Sequence, residues 1–158
     1  SSGPHSNGYS LIRKILDDSD LDAASPWENS TLGATLLTPT RIYVASILKL
    51  IKTTSVHAIA HITGGGIPEN LVRVLNPAVD AQVDVSAWER PAIFKWLQAQ
   101  GNVAESEILR TFNCGIGMMV IVPAADVDKA LQSLEASGET AVLLGEVVAG
   151  SGKVQTGT

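Results

Sequence analysis

One stretch decides how this chain folds: His61-Ile62-Thr63-Gly64-Gly65-Gly66-Ile67-Pro68-Glu69-Asn70-Leu71-Val72-Arg73. The run that leads into it, Val56 to Ile62, alternates in its apolar character and predicts a strand. Leu71, Val72 and Leu75 follow at helical spacing, and Pro68 suits a first helical turn, where its missing N–H breaks no hydrogen bond. Three consecutive glycines are therefore predicted at the point where a strand becomes a helix.

A glycine turn at this position favours an anionic ligand. Glycine permits positive φ angles and lets a ligand approach the backbone closely. The unpaired N–H groups and the positive dipole end of the following helix attract a group such as phosphate. The pattern is not GxGxxG, and it lacks the Gly-Lys-Ser/Thr of a P-loop. Two interpretations stay open at this point: a phosphate-binding turn, and a tight turn that binds nothing.

Composition limits the possible classes of protein. With 158 residues, 45% hydrophobic and 17% charged, the chain has the size and composition of one globular domain. A net charge of −5 and scattered basic residues predict no nucleic-acid partner, and no apolar run reaches the ~18 residues of a membrane span. One cysteine predicts a reducing compartment, here the cytoplasm. Because the chain starts at Ser1, without Met or a signal peptide, we expect it to be part of a longer protein.

Helical and strand patterns alternate along the rest of the chain. Further strands are predicted at Ala81–Val85, Met118–Val122 and Ala141–Val148, with one short edge strand in the tail Gly150–Thr158. Helices are predicted at Leu11–Leu16, after Thr38-Pro39, from the capping-box pattern Ser86-x-x-Glu89 to Gly101, at Glu105–Phe112 and at Ala124–Ser137. This order predicts an α/β (α+β-like) domain in which a layered mixed β-sheet is flanked by helices. Whether the strands within residues 118–148 run parallel or antiparallel stays open.

One of these helices and one acidic segment carry more detailed predictions. In the helix opened by Thr38-Pro39, the predicted buried stripe consists of Val44, Ile47, Leu48 and Ile51. The segment Asp18 to Asp22 imitates the start of an EF-hand, but Ala23 replaces the required glycine. We therefore predict a solvated acidic loop that continues to about Leu36.

Two histidines and the single cysteine have side chains that can bind a metal or take part in catalysis. His57 and His61 are four residues apart, which on a strand separates them by roughly 13 Å, too far for one zinc ion. No metal site is predicted, although His61 adjoins the glycine turn and stays a catalytic candidate. Cys114 lacks a cationic neighbour in sequence and is predicted to be a packing residue.

Two further glycine-containing loops precede a helix or a strand. The first, Ser1 to Ser10, places small hydroxyl and amide residues ahead of a helix that Ser6 or Asn7 could cap, and it contains His5, a possible hydrogen-bond or proton donor. The other, Thr111 to Met118, leads into the most apolar strand and contains two glycines. We expect these loops to lie together with the glycine turn.

Four stretches in this order resemble one family: Ser1-Ser-Gly-Pro-His-Ser-Asn-Gly-Tyr-Ser-Leu-Ile-Arg13, Leu37-Thr-Pro-Thr-Arg-Ile-Tyr43, His57-Ala-Ile-Ala-His-Ile-Thr-Gly-Gly-Gly66 and Arg110-Thr-Phe-Asn-Cys-Gly-Ile-Gly-Met118. They are similar to the C-terminal domain of aminoimidazole ribonucleotide (AIR) synthetase, the phosphoribosylformylglycinamidine cyclo-ligase. The resemblance covers nearly the whole chain. It implies that residues 1–158 are a single C-terminal domain, and that a separate N-terminal ATP-binding domain is absent from this chain.

The resemblance implies a ligase of de novo purine biosynthesis. Such enzymes use ATP to phosphorylate the formyl amide oxygen of formylglycinamidine ribonucleotide. An amidine nitrogen then closes the imidazole ring, and phosphate leaves. ATP and Mg2+ are held mainly by the N-terminal domain of the family, so this chain alone is expected to be inactive and to bind ATP weakly. The implied partners are the ribonucleotide substrate, the chain's own N-terminal domain and a second copy in a homodimer.

The loops matched by the resemblance supply the candidate site residues. The catalytic candidates are His5 and His61. The candidates for binding substrate or phosphate are Ser2, Gly3, Ser6, Asn7, Thr63, Gly64, Gly65, Gly66 and Asn113. Two alternatives remain: a non-catalytic ligand-binding domain, and another ATP-dependent member of the same superfamily, such as the preceding amidotransferase, selenophosphate synthetase or thiamine monophosphate kinase.

Overall fold

Helices and strands alternate along most of the chain in the computed structural model, which describes residues 1–16 and 21–157. The helices are α1 (Tyr9–Ile15), α2 (Leu32–Leu36), α3 (Val44–Thr53), α4 (Gly66–Leu71), α5 (Ala92–Gln100), α6 (Glu105–Thr111) and α7 (Val127–Glu135). The strands are β1 (Ala58–His61), β2 (Val79–Asp84), β3 (Met118–Ile121), β4 (Gly145–Ala149) and β5 (Val154–Gly157). Short 3-10 turns extend α4 over Val72–Val74 and precede α7 over Ala124–Asp126. The predicted α/β class is confirmed.

The chain divides into two compact units. The first, here the loop unit, comprises the described parts of Ser1–Arg41 with Ile62–Glu69 and Arg90–Gly117. It contains α1, α2, α5 and α6, and the rings of Phe94 and Phe112 meet in its core with centroids 5.7 Å apart. Both phenylalanines are fully buried, because apolar residues at helical spacing along α5 and α6 turn inward together.

The second unit, here the sheet unit, comprises Ile42–His61, Asn70–Glu89 and the described residues from Met118 onward. Its strands form two sheets rather than one. Strands β1 and β3 pair antiparallel, with Ala58 opposite Ile121. Strand β2 lies between β4, which is antiparallel to it, and β5, which is parallel to it. The sheet order is therefore mixed as predicted, and β3 and β4 lie in different sheets instead of pairing.

A buried carboxylate fixes the turn between β4 and β5. Asp80 of β2 accepts hydrogen bonds from the backbone N–H groups of Ser151 at 2.7 Å and Lys153 at 2.8 Å. The bond from Lys153, followed by that from Ser151, lowers the pKa of Asp80 below its ordinary value. The predicted edge strand in the tail is confirmed as β5 and is anchored beside this contact.

Three predicted helix starts are wrong, and each error has a local cause. The hydroxyl of Thr38 donates back to the carbonyl of Ala34 at 3.4 Å, so Thr38 closes α2 and α3 begins only at Val44. Ser86 donates its N–H and its hydroxyl to Asp84 in a turn after β2, and α5 begins six residues later. The first helix starts after Gly8, which has φ 77° and gives no side-chain cap.

The predicted acidic loop and the predicted stripe of α3 also need correction. Most of Asp18 to Asp22 lies outside the described residues, but the connection to Leu36 is not all loop, since α2 begins after Thr31, whose hydroxyl accepts the N–H of Ala34 at 3.2 Å. Of the predicted buried stripe on α3, only Ile47 is even half-buried, and the other three residues are exposed. Helix α3 instead buries Ser46 and Leu50.

Candidate functional site

The glycine turn between β1 and α4 is shaped by two residues with positive φ. Gly65 has φ 96° and Gly66 has φ 58°, a region that disfavours residues with a Cβ. A Cβ at Gly66 would lie 1.8 Å from the carbonyl oxygen of Leu109, so the backbones of the turn and of α6 meet too closely for any side chain. Gly64 differs, since its φ is not in this region and the nearest atom to an added Cβ is Asn7 Oδ1 at 3.5 Å. Close packing therefore explains why position 66 requires a glycine, whereas it does not explain the glycine at position 64.

The N-terminal loop is joined to this turn by a hydrogen bond. Asn7 Oδ1 accepts the backbone N–H of Gly64 at 2.9 Å. Ser6, beside it, is exposed, while Asn7, Thr63 and Gly65 are half-buried. Within the part of the chain that the structure describes, neither the N–H of Gly65 nor the hydroxyl of Ser6 forms a hydrogen bond. Both donors are available to a ligand at the junction of the two loops.

His5 is built into the N-terminal loop. Its ring is buried, its φ is 58°, and its Nε2 accepts the N–H of Ser2 at 3.2 Å. Ser2 in turn donates its hydroxyl to the carbonyl of Pro39 at 2.8 Å and remains exposed. This geometry favours His5 as a residue that shapes the loop.

The loop from Thr111 to Met118 forms hydrogen bonds with the N-terminal loop through a buried side chain. Asn113 is fully buried and donates Nδ2–H to the carbonyl of Gly3 at 2.9 Å. Its Oδ1 accepts the hydroxyl of Ser1 at 2.8 Å and the N–H of Gly115 at 2.9 Å. Asn113 and the buried Gly3 therefore position the N-terminal loop. Their direct contact with a ligand stays a prediction, and it is not favoured, because both residues are buried. The expectation that the three loops lie together is confirmed by these bonds.

The second catalytic candidate, His61, lies in the sheet unit. It is the last residue of β1, its side chain is exposed, and its ring makes an edge contact with Tyr43 at a centroid distance of 6.4 Å. His57, just before β1, is also exposed. His61 is therefore accessible for proton transfer, and its catalytic role stays a prediction.

Cys114 is not suited to nucleophilic chemistry. The residue is buried, and burial raises the pKa of its thiol to about 12. Almost no thiolate exists at neutral pH under these conditions. Its place beside Asn113, with φ 51°, is that of a packing residue in the third loop.

Sequence reasoning did not single out Glu69, which the structure places against the glycine turn. A Cβ at Gly65 would lie 2.7 Å from both Cβ and Oε2 of Glu69. Its carboxylate therefore covers one side of the turn, in the first helical turn of α4, where the helix dipole favours negative charge. The signal was its position four residues after Gly65, one helical turn away, and the N–H of Glu69 donates to the carbonyl of Gly65 at 3.3 Å.

Open space adjoins the N-terminal loop within the loop unit. A cavity of about 220 Å³ is lined by Ser1, Ser2, Gly3, Trp27, Glu28, Thr35, Pro91, Ala92 and Ile93. Among residues 1–16 and 21–157, no three His, Cys, Asp or Glu side chains group as metal ligands would. None of the described helices has the length and apolar character needed to cross a membrane.

Comparison with known proteins agrees with the resemblance. The family model described as AIR synthase related protein, C-terminal domain, matches residues 1–157. Over 148 residues the chain is 57% identical to a phosphoribosylformylglycinamidine cyclo-ligase of Nitrosococcus oceani, covering 94% of this chain and 41% of that relative. The chain thus spans about two fifths of the length of the curated relative. Because the family model matches all but one residue, the chain belongs to the AIR synthase related protein family as its C-terminal domain.

Proposed function

We propose that this chain is the substrate-side domain of an ATP-dependent cyclo-ligase that converts formylglycinamidine ribonucleotide to aminoimidazole ribonucleotide. The name of the relative that is 57% identical supports this activity for the longer protein. The observation that carries the proposal is the bond between Asn7 and Gly64, because it joins the two loops most suited to hold a ribonucleotide phosphate.

The proposed phosphate site uses donors that the fold leaves accessible. The N–H of Gly65 directly precedes α4, and the hydroxyl of Ser6 belongs to the residue before Asn7, which bonds to Gly64. Both groups are hydrogen-bond donors, which suits them to an anion. Gly64 adds an exposed backbone surface, and the half-buried Thr63 precedes it in the turn. A phosphate bound there would be opposed on one side by the carboxylate of Glu69, which would limit where the anion sits.

The chemistry requires more than this chain offers. In the proposed reaction ATP supplies the phosphoryl group that turns the amide oxygen into a good leaving group. As the resemblance implies, we assign the binding of ATP and Mg2+ to the preceding domain of the longer protein. The task of this chain is to bind and orient the ribonucleotide, which lowers the entropic part of the barrier.

Two histidines take different proposed roles. His61 is exposed and is the better candidate for moving a proton to or from the substrate. His5 acts through Ser2, whose N–H it accepts, and so positions the loop. The longer protein is further proposed to be a cytoplasmic homodimer.

The test is a pair of glycine substitutions in the full-length protein. Gly64→Ala adds a methyl group that the fold accommodates, and the matched control Gly157→Ala adds one where no atom lies within 4 Å. Since a charge-assisted hydrogen bond is worth ~1.5–3 kcal/mol, displacing one should raise KM for the ribonucleotide about 10- to 100-fold. The melting temperature and the KM for ATP should stay unchanged in both variants.

Several results would count against the proposal. An unchanged KM for the ribonucleotide in Gly64→Ala would remove the phosphate site, and absence of ring closure by the full-length protein would remove the activity. Titration of the 158-residue chain alone should show weak binding of ATP and no turnover. Tight ATP binding by this chain alone would favour another role.

A further inference from the structure

Helix α3 exposes an apolar stripe in the sheet unit. Val44, Leu48 and Ile51 are 63%, 55% and 48% exposed, and they recur at the i, i+4, i+7 spacing of one helix face. Ile42, which precedes the helix, is 81% exposed. We call Val44, Leu48 and Ile51 the outer stripe of α3.

The opposite side of α3 carries the helix's contacts with the rest of its unit. Ser46 and Leu50 are buried there, and α3 lies along α7. The hydroxyl of Ser46 donates to the carboxylate of Glu139, which follows α7. The helix thus buries a serine while three large aliphatic side chains remain in solvent, an arrangement that typifies a surface awaiting a partner.

Polar residues beside the stripe limit what the partner looks like. Lys49 and Lys52 are exposed on the same helix and flank the outer stripe on one side. Interfaces of this kind have an apolar centre and a polar rim. A matching surface would therefore present apolar side chains next to carboxylates.

The relative indicates where such a surface comes from. More than half of the cyclo-ligase that is 57% identical lies outside the matched region, and the matched family model is that of a C-terminal domain. We propose that the outer stripe of α3 is the docking surface for the domain that precedes this chain in the longer protein. This inference rests on the proposed function in one respect: it assumes that the chain is part of a longer protein with a preceding domain.

Thiol labelling of the full-length protein tests whether the stripe is covered. Leu48→Cys and Lys49→Cys place thiols on the same turn of α3, about 100° apart around the helix axis, one inside the outer stripe and one outside it. With iodoacetamide, Leu48→Cys should react at least tenfold more slowly than Lys49→Cys. The native Cys114 contributes a slow background, since it is buried. If Leu48→Cys prevents folding, Ile51→Cys supplies the same comparison.

The possible outcomes separate the alternatives. Equal labelling rates at positions 48 and 49 would overturn the docking surface, and so would a gene that encodes no preceding domain. Protection of position 48 that disappears on dilution would show that a second copy covers the stripe, which also overturns the proposal. Ring-closing activity of the unmodified full-length protein is assayed separately, so a failure of the proposed function is distinguished from a failure of this interface.

Discussion

Helices α3 and α5 have a similar pattern of apolar residues, but this pattern faces solvent in α3 and is buried in α5. Each carries three apolar residues at helical spacing, Val44, Leu48 and Ile51 in α3, and a corresponding set in α5, namely Ile93, Phe94 and Leu97. The set in α5 is buried to 4% exposure or less, while every member of the set in α3 is about half exposed or more. Periodicity therefore identifies the apolar face of a helix but does not show whether the same chain covers that face.

The neighbours of each helix account for the difference. In the loop unit, α5 lies beside α1 and α6, which enclose its apolar side. In the sheet unit, α3 lies along α7 with its other side, which contains Leu50. An apolar stripe left in solvent gains nothing from folding of this chain alone, so the two helices should respond very differently to the same truncation.

The largest expected effect is the loss of a core side chain in α5. Phe94→Ala should lower the free energy of unfolding of this chain by about 3–5 kcal/mol, because it leaves a cavity beside Phe112. Leu48→Ala in α3 should change it by no more than about 0.5 kcal/mol, as for other exposed positions. Urea unfolding of both variants measures the contrast.

Comparable losses of unfolding free energy in Phe94→Ala and Leu48→Ala would contradict the proposed difference between α5 and α3. In that case the outer stripe of α3 would be buried by this chain in solution. A larger loss for Leu48→Ala in the full-length protein than in the 158-residue chain would sharpen it instead, since only the longer protein contains the proposed covering domain.

The same contrast recurs among the adjacent glycines of the turn. Gly66→Ala should destabilise the protein by roughly 2–4 kcal/mol, because a positive φ costs about 1–2 kcal/mol and the new Cβ meets the carbonyl of Leu109. Gly64→Ala should be nearly neutral for folding, since its Cβ finds ordinary contact distance. Thermal unfolding of the two variants decides this, and a destabilised Gly64→Ala would show that all three glycines serve packing.

Local patterns in the sequence predicted the elements that local contacts determine. The strand before the glycine turn, the apolar strand from Met118 and the inward residues of α5 and α6 lie where expected. Their patterns are strong and uninterrupted, so few alternative structures compete. The predicted starts of two helices were wrong because a hydroxyl expected to cap the helix forms another hydrogen bond. Thr38 donates to Ala34, and Ser86 donates to Asp84.

The candidate site depended on contacts between distant residues. The sequence singled out Asn7 and Gly64 separately, but their bond spans 57 positions and has no local signature. Likewise, Asn113 was predicted to bind substrate because it lies in a loop that the family resemblance matches, whereas its amide is fully buried against Gly3. The sequence also did not show which glycines of the turn have a positive φ. Gly65 does and Gly64 does not, so a substitution at Gly64 tests ligand binding with less effect on folding.

The smallest expected effect concerns a buried polar group in the sheet unit. Asp80→Asn keeps an oxygen acceptor for Ser151 and Lys153 but removes the charge that strengthens those bonds. Because the folded-state pKa of Asp80 is lowered, its carboxylate contributes stability that is fully present above the ordinary aspartate pKa of about 3.9. That stability is lost as the pH falls through the lowered folded-state pKa.

The stability of the unsubstituted protein should therefore exceed that of Asp80→Asn by a constant amount between about pH 5 and pH 8, and the difference should narrow below about pH 4. Asp84→Asn, on the same strand but exposed, is the matched control, since the carboxylate of Asp84 accepts the N–H and the hydroxyl of the nearby Ser86. Its effect should be smaller, because no turn between strands depends on it. Urea midpoints measured across this pH range would contradict the role of Asp80 if the two variants gave the same profile. In that case the burial of a polar side chain would not predict its effect on stability, although the burial of an apolar side chain does so for α3 and α5.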